Sequence, residues 1–266
     1  MDNSQLSVAP GSLRLRTSHW KSAKELNGLT RSAISLPLEE AARRKEFLWN
    51  AMLTEYDASN FALYLSDREF SPDFKRFERA WRQDEWNHYL GFRRIVALLY
   101  DQNEAKIARE VKKDRGNFGP IGDFLKDEFR ICLLLAYDEI ATFKSYLAEF
   151  PFYRSFGDPR VIRWFQKVTR DELNHFINCV EIIRHRHQDR VPEVKESLDQ
   201  FIEWDLRRSV YERTFVLDHY WYSVEYLQHC KDLICDYFRN GLRKAEFPAK
   251  IRIDDTKAIE ERYEYK

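Results

Sequence analysis

Two pentads carry most of the chemistry open to this chain: Asp84-Glu85-Trp86-Asn87-His88 and Asp171-Glu172-Leu173-Asn174-His175, each followed by an aromatic residue, Tyr89 or Phe176. A glutamate and a histidine three residues apart on a helix lie one turn apart on the same face, about 4.5 Å along the axis. Both side chains then reach a single metal ion. A neutral imidazole nitrogen beside a carboxylate suits iron or manganese, and no thiolate completes the pattern. With 44 acidic residues in 266, about one of the seven histidines would have an acid three positions earlier by chance. Repetition of all of Asp-Glu-x-Asn-His is far less probable.

A two-metal helical site needs two more carboxylates, one from each of two other helices. Glu55 stands mid-helix in Leu53-Thr54-Glu55-Tyr56-Asp57, and Glu139 follows the apolar run Ile131 to Tyr137, where a charge requires a partner. Level along the helices selects this pair. Glu55 lies 12 residues before Asp67 and Glu85 12 after Asp73, while Glu139 lies 11 before Phe150 and Glu172 12 after Arg160. Two antiparallel hairpins therefore bring all four to one height, within about a turn. Glu46, Glu128 and Glu149 sit roughly two to three turns from these levels and read as solvated or end-of-helix charges.

The elements that must position these residues are helices. Gly and Pro number only 8 each, too few for the turns of an all-β fold, and aromatic residues make up 15% of the chain. Residues 1–36 form a Ser-, Arg- and Lys-rich N-terminal arm, expected to be partly ordered, and 37–266 the helical domain, with no linker dividing it. A first long helix is expected from Pro37 to about Asp67, and a second from the Ser71-Pro72 start signal to about Tyr100. A long polar crossover ends at Gly116-Asn117-Phe118-Gly119-Pro120. A third helix follows from about Ile121 to Phe150, stopped by Pro151, and a fourth over 160–187. Pro192 opens further helical sequence to Asn240-Gly241, as one or two helices, and the tail from Phe247 reads as a short strand or an arm.

Lys+Arg 44 against Asp+Glu 44 argues against a chain that coats nucleic acid or an anionic membrane. No apolar run approaches the length that spans a bilayer, and no secretory start is evident, so a cytoplasmic protein is expected. The four cysteines contain no Cys-x-x-Cys pair, which disfavours zinc ribbons, a rubredoxin-type iron site and a disulfide framework.

The order helix glutamate, Glu-x-x-His, helix glutamate, Glu-x-x-His resembles the ferritin-like dinuclear iron carboxylate proteins, and most closely the soluble acyl-carrier-protein desaturases. Thr54-Glu55 resembles their first ligand segment, Arg79-Ala80-Trp81 leading into Glu85-x-x-His88 the second, Glu139-Ile140-Ala141-Thr142-Phe143-Lys144-Ser145 the third, and Asp171-Glu172-x-x-His175 the fourth. The likeness covers about 55–180. It implies an all-α, ferritin-like four-helix bundle with a long crossover and additional C-terminal helices. Two iron ions would be held by Glu55, Glu85, His88, Glu139, Glu172 and His175, with dioxygen as co-substrate. Asp84 and Asp171 would accept from the ring N–H of the opposite histidine. Thr142 would be the catalytic threonine near the oxygen-binding face.

The activity implied is desaturation or hydroxylation of an acyl thioester. Alternatives are hydroxylation or N-oxygenation of a small amine, an aromatic compound or a modified tRNA base, or an iron-binding ferroxidase without organic substrate. Phe92, four residues after His88, excludes a stable tyrosyl radical at that position. With no flavin or nucleotide fingerprint, electrons are expected from a ferredoxin or similar donor. An acyl carrier protein is the candidate substrate carrier, with Arg93-Arg94 and Arg207-Arg208 as candidate docking charges, and the chain is expected to pair as a homodimer. His219 reads as a packed or surface histidine, or as a further metal ligand. Arg184-His185-Arg186-His187 reads as a C-terminal cap and surface feature.

Overall fold

The structure, a computed structural model, describes residues 13–241 except 114 and 115. The expected feature after Phe247 and the start of the N-terminal arm lie outside the described residues. In chain order the helices are α1 (Ser22–Glu25), α2 (Leu38–Arg43), α3 (Lys45–Leu65), α4 (Pro72–Leu99), α5 (Glu104–Lys113), α6 (Glu128–Arg154), α7 (Pro159–Arg186), α8 (Val194–Asp205) and α9 (Val224–Asn240). Among the described residues there is no strand, and no helix is long and apolar enough to cross a membrane.

The starts of the long helices are written locally. Ser71 accepts from the Phe74 N–H at 3.2 Å with Pro72 following, and Asp158 accepts from the Arg160 N–H at 2.8 Å with Pro159 following. Asp127 caps α6 through the Arg130 N–H at 2.9 Å, and Ser223 caps α9 through Tyr226 at 3.1 Å. Each cap satisfies an amide that the helix itself leaves open.

Helices α3 and α4 form one antiparallel hairpin and α6 and α7 another, with α4 packed on α7. Helix α6 buries every residue from Ile131 to Ala141, which requires cover on all sides. That cover includes α8 and α9, so the C-terminal helices pack on α6. Two apolar clusters fill the bundle. One takes Phe61 and Leu65 from α3, Phe77 and Trp81 from α4, Leu133 from α6 and Val180 from α7. The other takes Leu48 and Met52, Phe92 and Ile95, Tyr153, and Trp164 from the same four helices. On α4 and α7 the candidate ligands fall between the two contributions. On α3 Glu55 stands near the end of the second, and on α6 Glu139 stands near the end of the first, just before Ile140 and Ala141, so a thin polar layer lies between two apolar plugs.

Several boundaries differ from the sequence expectation. The first helix breaks at Arg44, and the crossover contains α5. The third helix starts at Glu128, because 119–124 forms a 3₁₀ turn and Asp127 supplies the cap. Pro151 does not stop α6, which runs on to Arg154. Proline removes one hydrogen bond there, but Phe152, Tyr153 and Phe156 pack together, and Tyr153 stacks on Phe165 at 3.7 Å between ring centroids. Between α8 and α9 the segment 206–223 leaves the helix, with Arg213, Phe215 and Leu217 at φ of 66°, 64° and 56°. Non-glycine residues there cost about 1–2 kcal/mol each. Asp218, accepting from the amides of Glu212 and Thr214, and the buried Phe215 and Leu217 hold the segment in place.

The part of the arm that is described lies on the bundle. Ser22 N donates to Asn87 Oδ1 at 2.7 Å, and Ser22 Oγ donates to the Asn87 carbonyl at 2.6 Å while accepting from Trp164 Nε1 at 2.9 Å. Arg16 exchanges two hydrogen bonds with the Asn178 side chain, both at 2.8 Å.

Candidate metal centre

Mid-bundle, the structure brings together all six residues that the sequence singles out. They form two overlapping groups, Glu55, Glu85, His88 and Glu172, and Glu85, Glu139, Glu172 and His175, with ligand atoms in each within 4.8 Å of one another. None of the six is more than 3% exposed. Each helix contributes through its spacing: one glutamate from α3, one from α6, and a Glu-x-x-His pair from α4 and α7.

The two histidines face the cluster in the same way. His88 Nδ1 lies 3.2 Å from Glu55 Oε2, 3.2 Å from Glu172 Oε1 and 3.9 Å from Glu85 Oε2. His175 Nδ1 lies 3.1 Å from Glu85 Oε1, 3.2 Å from Glu139 Oε2 and 3.4 Å from Glu172 Oε2. Glu85 and Glu172 thus offer one oxygen to each half, whereas Glu55 and Glu139 each serve one. The outward ring nitrogens meet aspartates, His88 Nε2 at 3.2 Å from Asp171 and His175 Nε2 at 3.4 Å from Asp84. This is the pairing expected for Asp84 and Asp171, and it leaves both Nδ1 atoms facing inward.

The electrostatics require a counter-charge. Burial pushes the carboxyls of Glu85 and Glu139 well above the ordinary range, and for Glu85 the charges of Glu172 and Glu55 add to it. Glu172 moves the other way, because His88 and His175 outweigh its burial. Burial opposes charge on both histidines, yet the surrounding glutamates hold them well above their usual value. One Nδ1 proton cannot serve three carboxylates. Oε1 of Glu85, Glu139 and Glu172 has no hydrogen-bond partner although buried, and the nearby ring nitrogens are off line for donation. Two divalent cations would balance four carboxylates, leave both imidazoles neutral and use these orphaned oxygens, so the donor set fits a metal pair.

Sequence reasoning missed two neighbours. The Tyr146 hydroxyl donates to Glu55 Oε1. Its signal was available, since Tyr146 follows Glu139 by seven residues, two turns along one face. The Trp20 indole donates to Asp171 Oδ2 at 2.7 Å and stacks near His88, with centroids 5.9 Å apart. Nothing local marks a contact spanning 151 residues.

A cavity of about 860 Å³ lies between α3, α6 and the segment 206–223. Tyr146 and Thr54 are part of its wall, as is Thr142, one turn after Glu139. Glu149 also lines it and is 7% exposed, which corrects its reading as a solvated or end-of-helix charge. Phe47, Asn50 and Ala51 of α3 line the same cavity. Burial pushes the Glu149 carboxyl up to about 8, against the Ser145 hydrogen bond and the Arg44 charge. Glu128 is an end-of-helix residue but a buried one, accepting from Ser71 N at 2.6 Å and from Ser71 Oγ at 2.8 Å.

His219 is not in either cluster. It is buried between Asp205, 2.7 Å from Nδ1, and Asp138, 2.9 Å from Nε2, and these carboxylates hold it charged despite burial. The run at the end of α7 is more than a surface cap. Arg186 pairs with Asp73 at 2.5 Å, and His187 lies 3.1 Å from Glu128, tying α7 to the starts of α4 and α6. Arg93 and Arg94 pair with Glu104, Arg207 with Glu203, and Arg208 with Glu212.

Comparison with known proteins finds no matching family model, no matching curated protein and no matching solved structure.

Proposed function

We propose that the chain is a dioxygen-dependent, non-haem di-iron oxidase built on a ferritin-like bundle. The observation that carries this reading is the sharing of Glu85 and Glu172 between two histidine-centred halves. Glu55, His88, Glu85 and Glu172 would hold one iron, and Glu139, His175, Glu85 and Glu172 the other. Bound there, the irons would supply the activation of dioxygen, chemistry that side chains alone do not perform.

The chain's own residues do the rest. Asp171 and Asp84 fix the histidine tautomers, and Tyr146 holds the orientation of Glu55. The apolar plugs above and below exclude water and strengthen every interaction within the layer. A cavity of about 860 Å³ beside Tyr146 has room for an organic substrate, which supports an oxidase over an iron-storage protein. Thr142, on its wall one turn from Glu139, would hold a proton at the cavity surface. The outcome is desaturation, hydroxylation or N-oxygenation of the molecule in that cavity, with electrons from a ferredoxin-like carrier.

The test is dioxygen consumption by the iron-loaded protein supplied with excess chemical reductant. An oxidase takes up dioxygen repeatedly in the presence of an accepted substrate and releases an oxidised product detectable by mass spectrometry. A single uptake, tied to iron oxidation and indifferent to every free acid, thioester and amine offered, would assign the chain to ferroxidase chemistry.

A further inference from the structure

Glu149 stands one turn beyond Tyr146 on α6, in the wall of the cavity. Its Oε1 accepts from Ser145 Oγ at 2.9 Å. Its Oε2 is buried and has no hydrogen-bond partner, in a side chain only 7% exposed. Leaving such a buried oxygen unpaired is expensive, so its retention calls for an occupant. The segment 206–223 adds Tyr211, Tyr220, Trp221 and Tyr222 to the same wall, and Asp218 a second buried acid. Rings with electron-rich faces around a carboxylate are the recognition chemistry of an organic cation. Of the lining residues, Arg43 is the only lysine or arginine, and it is exposed at the rim.

We propose that this cavity binds a small aromatic or aliphatic amine, with its ammonium group on Glu149 and its apolar body directed past Tyr146 toward the cluster. An arriving ammonium supplies the counter-charge that lets this carboxyl ionise. A fatty acid or other anion would bring Glu149 no counter-charge and would find His219, the cation of the wall, already paired with Asp205 and Asp138. The substrate class is therefore the amine branch of the oxidase reading, with oxidation at carbon rather than nitrogen, and the inference rests on that reading for which end of the ligand reacts. Binding itself does not depend on turnover.

The experiment is calorimetric titration of the full chain, metal-free and loaded with ferrous iron under argon. The three probes are similar in size: 2-phenylethylamine, 2-phenylethanol and 3-phenylpropionate. The amine is expected to bind at least tenfold more tightly than the other two. In Glu149→Gln, which keeps the Ser145 contact, that preference should fall to near unity, with helical circular dichroism and metal content unchanged. A wild-type preference below tenfold, or one that survives Glu149→Gln, overturns the proposal, and the wild-type series decides even if the variant folds poorly. Failure here leaves metal content and dioxygen uptake as found, whereas failure of the oxidase reading leaves amine binding intact, so the two are told apart.

Discussion

His88 and His175 stand with ring centroids 6.1 Å apart and turn Nδ1 toward the same two carboxylates, Glu85 and Glu172. Each of those carboxylates presents a different oxygen to each ring. Two separate mononuclear sites would not need this sharing. It makes the halves interdependent, so loss of Glu172 should disturb both metals while loss of Glu55 should disturb one. Metal stoichiometry on Glu172→Ala and Glu55→Ala separates the two behaviours.

The Trp20 and Asp171 contact supports one half only. Trp20→Phe keeps an aromatic ring near His88 but removes the donor to Asp171. Loss of such outer contacts typically weakens metal binding by about 10–100-fold. We expect that weakening at one of the two metals, visible as a second, looser phase in an anaerobic ferrous titration. Unaltered affinity at both would remove Trp20 from the site.

Gly91 sits mid-helix in α4, where glycine costs about 1 kcal/mol relative to alanine. A Cβ there would lie 2.3 Å from Trp164 Nε1, the atom that donates to Ser22 of the arm. Gly91→Ala should therefore destabilise by about 1–3 kcal/mol or more and loosen the arm. Thermal melting and protease cleavage near residue 22 check this, and an unchanged or raised melting temperature would contradict it.

The long helices and the clustering of six glutamates and histidines between them were legible in sequence because both depend on local spacing. Glu-x-x-His on α4 and α7 fixes a face, and caps such as Ser71-Pro72 fix the heights of Glu55 and Glu85. What lay hidden depends on distant contacts. Trp20 meets Asp171 from the arm, Pro151 is carried within α6 by aromatic packing with Phe165, and 206–223 turns left-handed at Arg213, Phe215 and Leu217 without a glycine to announce it. Glu149 looked like a solvated charge because nothing in its neighbourhood on the chain reveals what covers it.

Glu149 also makes stability depend on pH. Its carboxyl is raised to about 8 in the folded chain by burial, whereas an unfolded glutamate titrates near ~4.3. Below that lower value both states hold the proton and the group contributes nothing. As pH rises further the unfolded chain releases a proton that the folded chain keeps, so stability falls until about pH 8 and then levels. The full effect is at most about 5 kcal/mol. Glu149→Gln should melt higher than wild type at pH 8 and no differently at pH 4. Parallel pH profiles for the two proteins would contradict this.

Thr142→Val keeps β-branching and removes the hydroxyl. If Thr142 manages a proton at the cavity wall, the variant should bind metal normally but consume dioxygen more slowly, or with less oxidised product per dioxygen. Unchanged rate and yield would return Thr142 to a packing role.

Metal content decides whether one shared carboxylate layer holds a pair of metals. The chain is equilibrated with ferrous iron under argon, freed of loosely bound metal by gel filtration and assayed for iron and protein. Wild type is expected to retain about two irons per chain and the His88→Ala/His175→Ala double variant to lose both, because the donor set offers two overlapping four-residue sites. Retention of less than one iron by the wild-type chain, or of two by the double variant, would contradict it.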